Sequence, residues 1–157
     1  MKRTLFIATV FFAMLLSGCN NKVDNTSVPY AVVNFQIDVS MAGSDNQLRD
    51  GMAGNSKVFD ELHPAARSAG YGSYGVSGVV VVRAIDDKLY AFDLCCPHEG
   101  KRDIRLAVDG FFATCGNCGS SFEIGNGTGY VNKGPSKQPL KRYNVYGSYG
   151  ELYRVGN

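Results

Sequence analysis

Apolar residues recur at every second position through Val33, Phe35, Ile37 and Val39, so 33–39 reads as a strand with one buried face. The same period returns at 76–85 (VSGVVVVRAI) and 88–93 (KLYAFD), joined by Asp86-Asp87 as a β-hairpin around a tight turn. Ile104, Leu106 and Val108 alternate, Asp109-Gly110 signals a type I′ turn, and 111–114 (FFAT) returns as the partner strand, delivering the chain to Cys115. Short β-prone runs follow at 122–124, 130–131, 140–145 and 151–155, separated by connections with glycine or proline. Nineteen glycines and no helical period complete the pattern. It predicts an all-β domain, a small antiparallel β-sandwich or barrel of about eight to ten short strands. Residues 42–70 carry the weakest pattern, with one short helical turn expected over 62–69. The pentapeptide YGSYG occurs at 71–75 and 146–150 without flanking similarity, and reads as tyrosine-covered turns rather than as a repeat.

The N-terminus has a different character. Lys2 and Arg3 precede a 13-residue apolar run, 4–16 (TLFIATVFFAMLL), which suits the h-region of a signal peptide and is too short to span a bilayer. The residues Leu16-Ser17-Gly18-Cys19 look like a bacterial lipobox, in which Cys19 is lipidated and becomes the mature N-terminus; the alternative is an ordinary secretory leader with a chance cysteine. The expected organisation is a lipoprotein signal peptide over 1–18, a lipidated N-terminus and polar tether over 19–29, and a β domain over 30–157. The protein is then expected in the bacterial cell envelope, anchored to the membrane by lipid, on the periplasmic or cell-surface side. The net charge of +2 falls to zero once Lys2 and Arg3 are removed. A chain that is 45% hydrophobic and 19% charged, without a basic block, is globular and is not expected to bind nucleic acid.

The chemistry is concentrated in 95-CCPHEG-100 and 115-CGNCGSSF-122, a window holding four of the five cysteines and one of the two histidines. Cys96 and His98 sit in one loop and Cys115 and Cys118 in another, each loop leaving the end of a predicted strand. Two such loops at one end of a small β domain can present four soft donors to one place.

These motifs resemble the Rieske iron-sulfur pattern, C-x-H followed by a gap of about this length and C-x-x-H. The resemblance extends to AFDLCCPHEG around the first loop, to GSSF after the second, and to 134-GPSKQPLKRYNV-145 as a proline loop with closing strands; it covers residues 78–155. It implies a Rieske-like fold with a cluster-binding subdomain of two loops, a 2Fe-2S cluster and electron transfer. The implied ligands are Cys96 and Cys115 on one iron and His98 and Cys118 on the other, with Gly100, Gly119, Ser120 and Pro135 supporting them. The implied partner is a redox protein or a quinone-linked membrane system. Cys118 departs from the family, standing where the second histidine is expected. A thiolate adds negative charge to the centre, so the potential is expected below that of His2Cys2 sites, toward the ferredoxin value of about −400 mV. Ser120 matches a serine that bonds a bridging sulfide, whereas Phe122 replaces a tyrosine and donates nothing. Lys101 and Asn117 occupy the positions of the disulfide that clamps respiratory Rieske loops, so that clamp is absent and respiratory quinol oxidation is a poor fit.

Other readings share the same residues. Cys3His is also a structural zinc set, and Cys115-x-x-Cys118 is half of a zinc knuckle. In an oxidising compartment Cys115 and Cys118, or a pair across the loops, suit a disulfide in a domain without its cluster. The leader lacks a twin-arginine pair and favours export unfolded, which bears against a cluster inserted before export. Thiol-disulfide exchange by Cys115-x-x-Cys118 fits less well, because no helical pattern follows to lower a thiol pKa. Cys95 reads as a small buried hydrophobe rather than a ligand or resolving thiol, and His63 has no partner motif. No G-x-S-x-G, phosphate-binding loop or H-E-x-x-H is present, so an electron carrier is expected rather than a stand-alone catalyst.

Overall fold

The computed structural model describes residues 26–62, 73–147 and 151–157. The leader, the lipobox with Cys19, His63, the helical turn expected over 62–69 (apart from Leu62) and part of each YGSYG copy lie outside them.

The described chain is all-β and antiparallel, with one short 3-10 helix at Asn46–Leu48. The larger sheet contains β1 (Val33–Asp38), β2 (Ser56–Phe59), β3 (Ser73–Tyr74), β4 (Val79–Arg83), β5 (Leu89–Asp93), β10 (Arg142–Gly147) and β11 (Leu152–Gly156), in the order β2-β4-β5-β10-β11-β1-β3. The smaller contains β6 (Leu106–Asp109), β7 (Phe112–Cys115), β8 (Ser121–Glu123) and β9 (Tyr130–Lys133) in sequence order.

Strand β4 explains how the sheets join. Its four consecutive valines are all fully buried, as a strand covered on both faces requires. Val79 and Val81 point into a core with Val33, Phe35, Ile37, Phe59 and Val155. Val80 and Val82 point the other way, into a core shared with Leu106, Ala113 and Phe122 of the smaller sheet and with Ile124 just beyond β8. Burial of each valine is worth about 1.5–3 kcal/mol. The first core is built around Phe35, whose ring stacks on Phe59 at 4.8 Å between centroids.

Both expected hairpins form, with informative turns. The β4–β5 connection closes through Asp87 N–H to Ala84 C=O (3.0 Å), with Asp87 at φ 60, a left-handed position that aspartate tolerates better than most residues. In β6–β7, Asp109 pairs with Phe112, so Gly110 and Phe111 are the central residues. Gly110 alone has positive φ (53), the sign pattern of a type II′ turn, which puts glycine first, rather than the expected type I′. The eleven strands among the described residues exceed the expected number because β2 and β3 add to the readable ones.

Both turns lie at the end of the molecule opposite the cysteine loops. The chain at 26–29, assigned to the tether by its polarity, lies on the domain, with Val28 buried against Val76 and Cys95.

Candidate metal centre

Strand β5 ends at Asp93, and Leu94, Cys95 and Cys96 continue fully buried into the first loop. The loop closes when Gly100 N–H reaches Cys96 C=O at 2.9 Å, with Gly100 at φ 64. The second loop leaves β7 at Cys115 and closes identically: Gly119 N–H donates to Cys115 C=O at 3.0 Å, and Gly119 has φ 75. Each is a Cys-x-x-x-Gly turn whose last residue needs the left-handed region, which is why glycine occupies both positions. The loops touch through Asn117, whose Nδ2 donates to Glu99 Oε1 at 2.6 Å.

The Sγ atoms of Cys96, Cys115 and Cys118 lie within 4.8 Å of one another, with 3.7 Å between Cys96 and Cys118. Cys96 and Cys115 are buried and Cys118 is partly so. His98 is in the same turn as Cys96, exposed at the rim and outside that trio. All four described cysteines are free thiols. Cys95 points away from the trio, its thiol donating to Lys101 C=O at 3.4 Å, and burial pushes its pKa up.

A third loop covers the second. Ser120 is fully buried, its Oγ accepting from the Cys118 thiol at 3.2 Å and from Ser136 N–H at 3.1 Å, and its own proton can turn to the sulfur when that thiol is ionised. Gly134, at φ 97, permits the approach, because a Cβ there would stand 2.4 Å from Ser120 Cα. Pro135 is exposed between Gly134 and the buried Ser136.

Two of the sulfurs, Cys96 and Cys118, are electrostatically unequal. Burial pushes the Cys96 thiol up to about 12, against the backbone N–H groups of Glu99 and His98 that favour its thiolate. Burial also raises Cys118, but hydrogen bonds from the Ser120 side chain and backbone, with the Cys115 and Cys96 thiols, outweigh it and leave Cys118 below the ordinary cysteine value. Cys118 therefore holds a thiolate more readily than Cys96, with neighbouring thiols as donors.

The first loop has an anchor that the motif does not advertise. Asp93 is fully buried and accepts from Cys95 N–H (2.7 Å), Val76 N–H (2.8 Å), Ser77 N–H (3.3 Å) and Tyr143 O–H (2.7 Å). A second support comes from the N-terminal segment: Ser27 Oγ donates to Pro97 C=O, inside the Cys96–His98 turn, and Ser27 N–H donates to Gln138 Oε1 at 2.7 Å. The signal for Asp93 was a charged residue closing an otherwise buried strand beside the ligand loop; Ser27 has no local signal.

The donor set suits an iron-sulfur group: soft thiols from two matched loops, an imidazole at the rim and a hydroxyl aimed at one sulfur. A mononuclear ion needs all its donors around one point, whereas a two-iron group has two foci, and His98 stands outside the thiol trio. The 3.7 Å between Cys96 and Cys118 is nonetheless the spacing of two thiolates on one tetrahedral metal, about 3.8 Å for bonds near 2.3 Å.

Among solved structures, the chain resembles one from the complex of reduced oxygenase and oxidized ferredoxin in carbazole 1,9a-dioxygenase, at 20% identity and a TM-score of 0.47 over 80% of this chain and 94% of that one. It also resembles the Sphingomonas yanoikuyae B1 ferredoxin, at 24% identity and a TM-score of 0.39 over 54% of this chain and 81% of that one. No curated protein matches the sequence. A family model for the Rieske [2Fe-2S] domain matches residues 40–144. That span is about two-thirds of the sequence and contains both cysteine loops and the serine loop above them, so the chain belongs to the Rieske [2Fe-2S] domain family.

Proposed function

We propose that this Rieske domain is a membrane-anchored electron carrier of the bacterial cell envelope, tethered by lipid on Cys19, with its 2Fe-2S cluster held by Cys96, His98, Cys115 and Cys118. The observation that carries the ligand set is the convergence of three thiols from two matched loops, with His98 in the same turn as Cys96. When bound, the cluster supplies one-electron chemistry. The chain's own residues determine where that chemistry is accessible. Cys96 and Cys115 close the inner side, and His98 is the exposed donor. The Ser120 hydroxyl offers a hydrogen bond to Cys118, which stabilises negative charge on that sulfur. The leader and lipobox support the location: a basic n-region, a short apolar run and Leu16-Ser17-Gly18-Cys19 in sequence. The partner is a redox protein, or a quinone-linked system, of the same envelope.

Two irons and two acid-labile sulfides per chain are expected for the chain from residue 20 on, purified without oxygen, with loss of both in Cys118→Ala. In Cys118→His the potential should rise out of the ferredoxin range toward the roughly −150 to +300 mV of two-histidine centres. An unchanged potential in that variant removes Cys118 from the ligand set.

The Cys96–Cys118 spacing favours one second reading, a single structural zinc held by the three thiols. One zinc per chain, no visible absorption and no sulfide would establish it and end the electron-transfer proposal.

A further inference from the structure

The N-terminal segment runs onto the domain at the metal centre. Ser27 bonds the carbonyl of Pro97 through its hydroxyl and Gln138 through its N–H, so it touches both the first cysteine loop and the loop covering Ser120. Val28 is buried against Cys95 and Val76, and Lys141 Nζ donates to Pro29 C=O at 3.2 Å. The glycine closing the first loop lies under the same segment, since a Cβ on Gly100 would stand 3.3 Å from Ser27 O.

We infer that residues 26–29 are a strap fixing the exit point of the membrane anchor beside the metal centre, so that the cluster end faces the bilayer and meets a redox partner embedded in the same membrane. The inference rests on the lipid-anchor reading of Cys19. Cys19 and Ser27 are eight chain steps apart, with seven residues between them. Fully extended those steps reach at most about 28 Å. As a random chain they would span about 16 Å. A compact domain of roughly 130 residues has a radius of gyration near 14 Å, hence a diameter of about 36 Å. The tether is therefore shorter than the domain it would have to pass to turn the opposite end toward lipid.

Charge points the same way. At the cluster end Lys101, Arg102, Lys133 and Lys137 are exposed, against Glu61, Glu99 and Asp103, with Arg105 paired to Asp60 at 2.9 Å. The opposite end exposes Asp50, Asp86, Asp87 and Asp109 against Lys88, which pairs with Asp86 at 3.5 Å, while Arg83 is buried and paired to Asp50 at 3.0 Å. A basic face is drawn toward anionic headgroups and an acidic one is repelled.

The test uses the full, lipidated protein in vesicles of phosphatidylethanolamine and phosphatidylglycerol with an energy-transfer acceptor on the headgroups. A fluorescent amino acid is placed at Lys101, on the cluster end, or at Met41, exposed beyond β1. The expected result is a larger loss of donor emission at Lys101 than at Met41. That gap should narrow when about twenty glycine and serine residues are inserted between Asn21 and Lys22, which raises the random-chain span to about 29 Å. Equal or reversed losses in protein that floats with the vesicles overturn the inference and leave the lipid anchor standing. Protein that fails to float overturns the anchor and the inference together.

Discussion

Replacing Asp93 separates what this carboxylate does for the fold from what it does for the metal centre. Its Oδ1 accepts from Cys95 and Ser77 N–H, and its Oδ2 from Val76 N–H and Tyr143 O–H, all in a fully buried position. In Asp93→Asn one oxygen becomes an NH2. The less costly orientation puts that NH2 at Oδ2, because the Tyr143 hydroxyl can rotate to accept from it, which leaves the Val76 N–H as the single orphaned donor. An orphaned buried donor costs about 1–3 kcal/mol, and the remaining bonds lose their charge assistance, for a total near 2–4 kcal/mol. Cys95 keeps its acceptor, so metal loading should survive. Asp93→Ala removes that acceptor as well, and both destabilisation and poor loading are expected. Urea unfolding with linear extrapolation measures the first quantity, and iron, zinc and sulfide analysis the second. An Asp93→Asn protein within about 0.5 kcal/mol of the parent, or an Asp93→Ala protein loaded as fully as the parent, would refute this account, since mutations without a buried mechanism stay in that range.

Three further outcomes are expected. Burial, then the Asp93 charge and hydrogen bond, push the Tyr143 hydroxyl far above its ordinary value of 10.0, so the folded state holds that proton more tightly than the unfolded one. Stability from this source is complete below pH 10 and declines as pH rises above it, and urea midpoints should show a flatter alkaline decline in Tyr143→Phe. Gly134→Ala forces a Cβ to 2.4 Å from Ser120 Cα at φ 97, and a loss of at least about 1–3 kcal/mol should appear in thermal unfolding, together with weaker loading. Ser120→Ala removes the hydroxyl 3.2 Å from Cys118 Sγ and orphans Ser136 N–H; protein-film voltammetry should show a lower potential, because a hydrogen bond to a ligand sulfur favours the more negative, reduced state.

What could be read from the sequence was whatever repeats locally. β1 and the hairpins declared themselves through alternation, and the four valines of β4 through an unbroken apolar run whose two-sided burial only the second sheet explains. β2 escaped because Ser56, Lys57 and Val58 are all half-buried and only Phe59 is inside, which erases the period. β3 is two residues long and exists by pairing with β1. The type I′ expectation failed by one position, because the strands pair up to Asp109 and leave Gly110 to lead the turn. The thiols were legible because their spacing is itself the signal. Their supports were not: Tyr143 meets Asp93 across 50 residues and Ser27 meets Pro97 across 70, and no local pattern encodes such distances. Polarity also misled at 26–29, where the single buried residue, Val28, is too little apolar surface to register as structure.

The two cysteine loops share one backbone design and differ in where the proposed second donor sits, two residues after the cysteine in His98 and three after it in Cys118. That difference divides protons from buried charge. His98 is exposed, so a proton exchanged with water can reach its imidazole without crossing the domain. Cys118 lies inward against Cys96 and Ser120, where a negative charge on its sulfur would be met by hydrogen bonds. A second imidazole at the rim would have supplied a neutral ligand and another exchangeable proton; the thiol supplies neither. On the proposed ligand set, a cluster held here would take up its electron beside a thiolate ligand, with one imidazole to compensate it. A low potential with weak pH dependence is the outcome that the proposed ligand set predicts, and it would follow from a short side chain placed one position further along an otherwise equivalent loop.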